Sequence, residues 1–210
     1  MRIIAIPIAI GLVTVVSFAQ LSDDESRNQR VFTVSSATFA NDTIMPISTI
    51  HNIVVNGANA CSVDGSPGGN QSPDLFWTGA PPQTKTFAVI AYDTTAAFTH
   101  WGMYNISGGL TGLPENAGVA GSKFGQQIVN DFFIGPEYDG PCPPANLAPD
   151  VHNYVFMVYA LDESLVLPSS PNFPANAETL YQALIAAGLE HHILASASIT
   201  GLYSSTPSRR

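Results

Sequence analysis

Two neighbouring segments place a carboxylate and an imidazole where they could hold a small charged ligand. Asp93 ends the segment TFAVIAYD, and His100 opens the segment HWGMYNI, with the short connection TTAAFT between them. If the two segments are antiparallel β-strands joined as a hairpin, both side chains lie at the same end of a sheet. A carboxylate beside an imidazole can orient a proton, hold a metal ion or attract a cationic group.

A third segment contributes two more polar side chains. HNYVFMVYALD opens with His152, and Tyr154 follows two residues later. Alternate residues of a strand share one face, so the imidazole and the phenol project on the same side. If this strand enters the sheet from the same end, we expect both side chains to join Asp93 and His100 around one pocket mouth.

Strand alternation also predicts the surroundings of His100. Within FTHWGMYNI, residues 98–106, it places Phe98, Gly102 and Tyr104 on the same face as His100. The glycine would leave room beside the imidazole. The strand pattern alone leaves open whether His100 lines a site or is only packed in the core, and the second is the commoner case for a single histidine.

Other interpretations of these residues remain open. Asp93 can simply accept hydrogen bonds from the amides of the hairpin loop. Two histidines and a carboxylate can coordinate iron or zinc, although the sequence has no HxH or HExxH spacing. A Ser-His-Asp hydrolase is disfavoured because no GxSxG motif is present. The dispersed spacing therefore favours a pocket without a metal or another cofactor.

The segments that must position these residues predict a mostly β domain. Apolar runs rich in β-branched and aromatic residues alternate with Gly, Pro, Asn and Ser clusters, which is typical of many short strands. The clearest strands are TFAVIAYD, HWGMYNI, HNYVFMVYALD and ILASASITGLY. In AETLYQALIAAGL, apolar residues recur at helical spacing, and Gly188 is placed to end this helix. We expect a mostly antiparallel fold of two packed sheets with one late helix.

The chain of 210 residues divides into a leader, one domain and two short polar segments. An apolar run followed by the small residues of VSFA predicts a signal peptide, residues 1–19, cleaved after Ala19. We expect residues 20–30 to be flexible, residues 31–204 to form a single domain, and residues 205–210 to be a tail. The predicted product is secreted or periplasmic and has no transmembrane anchor after processing.

Charge and cysteine content restrict the partners and the compartment. Sixteen Asp and Glu residues against seven Lys and Arg give a formal charge of -9, which disfavours nucleic acid and anionic membrane surfaces. Cys61 and Cys142 are the two cysteines, and in an exported chain they are candidates for one disulfide. A bond between them would hold the segment GPCPP, residues 140–144, against the loop that contains SPDLFW.

Six segments in a fixed order carry a resemblance to a known family. They are GGNQSPDLFWTGAP, KTFAVIAYD, FTHWGMYNI, YDGPCPP, HNYVFMVYALD and HHILASASITGLY. Together they resemble the phosphatidylethanolamine-binding protein (PEBP) family, especially its bacterial-type branch known as Raf kinase inhibitor-like. The resemblance runs from about Phe32 to Tyr203. It implies a PEBP-like β-sandwich with a small anion pocket near one end, which family members use for phosphate-bearing groups such as phospholipid headgroups.

The resemblance also implies which residues bind the ligand. The family's pocket positions fall on Asp93, His100, Gly140, Pro141, His152 and Tyr154. Thr94 and Thr95 replace the proline and second aspartate of the family's DPDAP segment, and Asn153 replaces the arginine of HRY. Of the other histidines, His192 is interpreted as structural, whereas His51 and His191 carry no functional signal.

The sequence therefore predicts a non-enzymatic binding protein for a phosphate-bearing small molecule or a phospholipid headgroup. Two imidazoles can donate hydrogen bonds to phosphate oxygens, and a nearby carboxylate favours their protonated form. One alternative is an inhibitor of a partner enzyme, since some relatives restrain kinases or serine proteases; export favours an extracellular serine protease. A second alternative is a metal- or His/Asp-dependent hydrolase built on Asp93, His100 and His152.

Overall fold

The computed structural model describes residues 31–207. The predicted signal peptide and the predicted flexible segment 20–30 lie outside the described residues. The strands are β1 (Thr33–Ser35), β2 (Thr43–Ile44), β3 (Val54–Val55), β4 (Ala58–Asn59), β5 (Leu75–Thr78), β6 (Thr86–Asp93), β7 (Phe98–Ser107), β8 (Gly112–Leu113), β9 (Gln126–Gln127), β10 (His152–Leu161) and β11 (Ile193–Tyr203). Helix α1 spans Ala177–Leu189, and a turn of 3-10 helix spans Ile47–Thr49.

Two sheets of unequal size form the body of the domain. The larger has six strands in the order β2-β11-β10-β6-β7-β9, and the smaller has three strands in the order β1-β5-β8. All pairs in both sheets are antiparallel except β2 with β11. Strands β3 and β4 form a separate hairpin. The predicted antiparallel β-sandwich with one late helix is confirmed.

The central strands are buried on both faces, which explains their nearly continuous apolar sequences. On one face of β6, the ring of Phe87 packs against Trp77 of the smaller sheet at a centroid distance of 4.8 Å. On the other face, Ile90 belongs to a cluster that includes Leu180 and Leu184 of α1. The six-stranded sheet is therefore the middle layer, held between the smaller sheet and the helix.

Helix α1 has well-defined ends. It begins at a capping box in which the Asn176 side chain accepts the Thr179 amide, while the Thr179 hydroxyl accepts the Asn176 amide. The prediction that Gly188 ends the helix is wrong, since the helix continues through Leu189. His191 instead takes the left-handed position after the last turn, with φ of 65°. Within the part of the chain that the structure describes, no helix is long and apolar enough to cross a membrane.

Candidate functional site

The polar residues predicted from three strands meet at one end of the six-stranded sheet. Tyr154 of β10 lies opposite Asp93 of β6, and Asp93 in turn lies opposite Phe98 of β7. The end of β6 and the starts of β7 and β10 therefore coincide, as the short hairpin connection predicted. Asp93, Tyr154 and the two histidines, His100 and His152, are all buried.

A β-bulge gives His100 its direction. Thr99 pairs with Tyr92 and Trp101 pairs with Ala91, so two neighbouring residues of β6 face three residues of β7. His100 is the extra residue and has no pairing partner across the strand. A bulge of this kind turns the side chain of the extra residue and breaks the alternation of faces.

The bulge changes the predicted neighbours of His100. The centroid of its ring lies 5.0 Å from that of Phe98 and 5.1 Å from that of Tyr154. These rings lie on the face of the sheet that packs against the smaller sheet. The prediction that Gly102 and Tyr104 share this face is wrong. Tyr104 packs in the cluster beside α1, and a Cβ added to Gly102 would lie 2.7 Å from a side chain of α1. The space at Gly102 therefore serves helix packing, not the imidazole.

Asp93 both caps a loop and orients a histidine. Its Oδ1 accepts hydrogen bonds from the amides of Thr95 at 2.8 Å and Ala96 at 3.1 Å. Its Oδ2 lies 2.6 Å from Nδ1 of His152. An ionised carboxylate only accepts, so Nδ1 of His152 carries a proton and Nε2 is left for the pocket. Asp93 therefore caps the hairpin loop, as one interpretation predicted, and also orients His152.

His100 is held by the backbone and is neutral near pH 7. Its Nδ1 donates to the carbonyl oxygen of Asp139 at 2.8 Å, which leaves the lone pair of the imidazole on Nε2. Burial lowers the pKa of His100, although hydrogen bonding to the Asp139 carbonyl and the charge of Asp93 act in the opposite direction. The nearby carboxylates favour the protonated imidazole as expected, but desolvation outweighs their effect and the net pKa is lowered.

Tyr154 supplies a hydroxyl group with no partner. Its oxygen is fully buried and has no hydrogen-bond partner among residues 31–207. Burial, and to a lesser degree the nearby Asp93 carboxylate, raises the pKa of Tyr154 far above its usual range. The hydroxyl therefore stays protonated, and it is a donor that lies near the Asp93 carboxylate but forms no well-aligned hydrogen bond within residues 31–207.

Residues 140–144, which we call the wall segment, pass close to His100. The Gly140 amide donates to Oδ1 of Asn70 at 2.7 Å, and a Cβ at Gly140 would lie 1.9 Å from the carbonyl oxygen of Thr49. This close approach to the backbone requires glycine. The carbonyl of Pro141 accepts the amide of His51 at 3.1 Å. Gly140 and Pro141 are therefore held by backbone contacts, whereas the pocket side chains come from the strands.

The same segment is tied to two further parts of the chain. Cys142 and Cys61 form a disulfide, which confirms the predicted pair. The Ser205 hydroxyl donates to the carbonyl of Pro143, and the Thr206 hydroxyl accepts the amide of Asn146. The first residues of the expected tail therefore contact the region of the wall segment.

Sequence reasoning missed a polar network behind His100. The amide of Asp139 donates to the His100 carbonyl at 3.1 Å, so these two residues are bonded in both directions. The Asp139 carboxylate accepts from the side-chain amides of Asn70 at 3.1 Å and Asn130 at 2.9 Å. His51 showed no functional signal in the sequence, yet its Nδ1 lies 3.0 Å from Oδ1 of Asn70. Asp139 and Asn70 lie in segments that carry the family resemblance, which was the available signal.

Positive charge is scarce around this pocket. Lys85 and Lys123 are the only Lys or Arg residues in the described range. Lys85 precedes β6, whereas Asp93 ends it, so the strand separates them by roughly 25 Å. The ammonium of Lys123 lies over the ring of Phe124, at 5.5 Å. No group of three or more His, Cys, Asp or Glu side chains within residues 31–207 has an arrangement that could hold a metal ion.

These features define a β-sandwich protein with a buried cluster of histidine, aspartate and tyrosine side chains at one end of its larger sheet. Residues 35–204 match the family described as phosphatidylethanolamine-binding protein. Because the match covers most of the chain, this protein belongs to the PEBP family, as the six segments predicted.

Relatives and solved structures agree with this membership. A UPF0098 protein of Methanothermobacter thermautotrophicus is 39% identical over 142 residues, which cover 65% of this chain and 84% of the relative. Escherichia coli UPF0098 protein YbcL is 37% identical over 148 residues, covering 66% and 74%. The crystal structure of E. coli YbcL, described as a member of the mammalian PEBP family, superimposes with a TM-score of 0.64 at 30% identity and covers 83% of this chain and 99% of YbcL.

Proposed function

We propose that this protein is an exported, non-enzymatic binding protein whose pocket takes a phosphate-bearing group, either free or in a phospholipid headgroup. The observation that carries the proposal is the hydroxyl of Tyr154, which is buried without a hydrogen-bond partner among residues 31–207. Leaving such a group unsatisfied costs about 1–3 kcal/mol. A bound anion offers the missing acceptor at the place where two histidines converge.

The arrangement of the other groups supports a phosphate that carries a hydroxyl group as well as acceptor oxygens. Both His100 and His152 use Nδ1 inside the protein, which directs the opposite ring nitrogen, Nε2, to a ligand. Asp93 is occupied by the hairpin amides and His152, so it orients the pocket and leaves the contacts to its neighbours. Membership in the PEBP family supports the same class of function.

Two features support export. The sequence predicts a cleavable leader, residues 1–19, and the disulfide between Cys61 and Cys142 is of the kind that persists in oxidising compartments. In such a compartment the ligand would be an extracellular or periplasmic phosphate compound.

The test is a calorimetric titration of the mature protein with phosphorylethanolamine and with inorganic phosphate. We expect saturable binding at one site, lost in the double variant His100→Asn, His152→Asn. A matched control is His192→Asn, since His192 bonds Asp162 away from the pocket and should keep full affinity.

Absence of saturable binding to either probe by the intact protein would contradict the proposal. An inhibitor of an extracellular serine protease would then be the better explanation of the same surface. Titration against a secreted serine protease, with its residual activity as the readout, tests that alternative directly.

A further inference from the structure

We infer that the pocket selects a phosphate group that still carries an acid proton, which means a phosphomonoester as its monoanion, over a phosphodiester. This inference rests on the proposed function and narrows it, because it favours a free phosphomonoester over an intact phospholipid headgroup, whose phosphate is a diester. Three observations carry it: the charge of the pocket, the fixed tautomer of His100, and the closed surroundings of that ring.

The pocket has no net positive charge to offer. Both lysines of the described range lie elsewhere. If His152 is protonated on both nitrogens, the Asp93 carboxylate 2.6 Å away balances its charge. A doubly charged phosphate would therefore be buried without compensation, which is costly, whereas a single charge can be satisfied by hydrogen bonds.

The tautomer of His100 adds a requirement for a donor. Two hydrogen bonds join Asp139 to His100. The Asp139 amide donates to the His100 carbonyl, and Nδ1 of His100 donates to the Asp139 carbonyl. Asn70 and Asn130 hold the Asp139 carboxylate in turn. This network leaves Nε2 of neutral His100 as an acceptor that faces the ligand. A P–OH group of a monoester can donate to it, whereas the anion of a diester has only acceptor oxygens.

Within residues 31–207, the neighbours of the ring offer no proton donor that could replace the ligand. Rings of Phe98 and Phe132 lie 5.0 Å and 5.5 Å from the imidazole. The charged groups that face it are carboxylates, Asp93 from β6 and Asp139 from the loop. Tyr154 from β10 has a hydroxyl, but that donor is also the one available to the phosphate. The hydrogen bond to Nε2 is therefore left for the ligand to supply.

The proton balance is simple for a monoester. The ligand O–H bond either persists, with neutral His100 as acceptor, or breaks as an N–H bond forms on Nε2, which leaves a dianion beside an imidazolium. The total charge is the same in both forms. The second pKa of a phosphomonoester is about 6, and burial lowers the pKa of His100 from its ordinary value of about 6.5, so the form with the proton on the ligand is favoured.

The experiment compares methyl phosphate with dimethyl phosphate, which share the phosphate but lack an ammonium or lipid chain. Titrations at pH 6 and pH 8 are run in two buffers of different ionisation enthalpy, so that the protons taken up are counted. At pH 8 we expect methyl phosphate to bind with uptake of about one proton, with affinity falling about tenfold per pH unit above both pKa values. Dimethyl phosphate should bind about 10- to 100-fold more weakly at pH 6, the worth of one hydrogen bond to a charged group.

The His100→Asn variant assigns the effect. Asparagine can place its amide nitrogen near the position of Nδ1 and keep the bond to Asp139, while it removes Nε2. We expect this variant to bind the two esters with similar affinity and without proton uptake, whereas His192→Asn should behave as the parent protein does. Matching unfolding temperatures would show that each variant is folded.

Each other result has a distinct meaning. Equal affinity of the parent protein for both esters, or binding of methyl phosphate at pH 8 without proton uptake, would overturn the inference and leave the phosphate pocket in place. An ester preference that survives in His100→Asn would overturn the role of His100. If neither ester binds at any pH, the proposed function and the inference are both overturned.

Discussion

Replacing Tyr154 with phenylalanine removes one hydroxyl group and keeps the ring that packs 5.1 Å from His100. In the free protein this hydroxyl is buried without a partner among residues 31–207, so its removal relieves a penalty and breaks no hydrogen bond. A buried unsatisfied polar group costs about 1–3 kcal/mol, so the free energy of unfolding should rise by about 1 kcal/mol or more in the variant.

Ligand binding should change in the opposite direction. If the hydroxyl donates to a bound phosphate, its loss removes a hydrogen bond to a charged group, worth about 1.5–3 kcal/mol. Affinity for phosphate should therefore fall at least tenfold in Tyr154→Phe. A variant that is more stable and binds more weakly would show that this side chain is retained for the ligand.

Urea unfolding with and without phosphate measures both effects in one series. With an m-value of about 2 kcal/mol/M, the expected gain in stability moves the midpoint up by about 0.5 M. The matched control is Tyr138→Phe, because the hydroxyl of Tyr138 donates to the carbonyl of Thr49 at 3.0 Å. That variant should lose about 1 kcal/mol. A loss of stability in Tyr154→Phe of the same size would refute the reasoning, since it would mean that the hydroxyl is already satisfied in the free protein.

Three further substitutions test the supports of the pocket. Gly140→Ala should cost at least about 1–3 kcal/mol, because its Cβ would lie 1.9 Å from a carbonyl oxygen, whereas Gly109→Ala, whose nearest neighbour is 3.7 Å away, should be neutral in thermal unfolding. Because burial lowers the pKa of His100, the unfolded chain binds this proton more tightly. The free energy of unfolding should therefore fall as the pH drops below about 6.5, and it should fall less steeply in His100→Asn; equal slopes in urea titrations at pH 7.5 and 5.5 would contradict this. Replacing Cys61 and Cys142 by alanine opens a loop of 81 residues and should cost about 4 kcal/mol in urea unfolding, with a loss well under 1 kcal/mol counting against the loop-closure account.

The positions of the main strands and the meeting of the pocket side chains could be predicted from the sequence. Strand composition located β6, β7, β10 and β11, and a connection too short for a crossover fixed β6 and β7 as a hairpin. Asp93 and His100 then had to lie at one end of the sheet. These predictions succeeded because they depend on local sequence and on the length of one loop.

The face of the sheet on which His100 lies could not be predicted, because a bulge hardly changes the pattern of apolar residues. FTHWGMYNIS is almost continuously buried, so an extra residue at His100 does not disturb the hydrophobic signal. The network behind it joins Asn70 to Asp139 across 69 residues, a distance at which a single sequence carries no pairing information. The end of α1 was predicted wrongly for a different reason. His191 adopts the left-handed conformation that a glycine was expected to adopt.

The wall segment also bears on the order in which the protein folds. Its successive residues are joined to Asn70, Cys61 and Ser205, across 70, 81 and 62 residues of sequence. Closing such long loops costs entropy that is recovered only when the surrounding strands are in place, so we expect the pocket to form after the main folding barrier. Phosphate should then leave the folding rate unchanged and slow unfolding, and stopped-flow chevrons recorded with and without phosphate would reveal which limb moves. A ligand bound to such a late-formed pocket extends the lifetime of the native protein without directing the chain towards it.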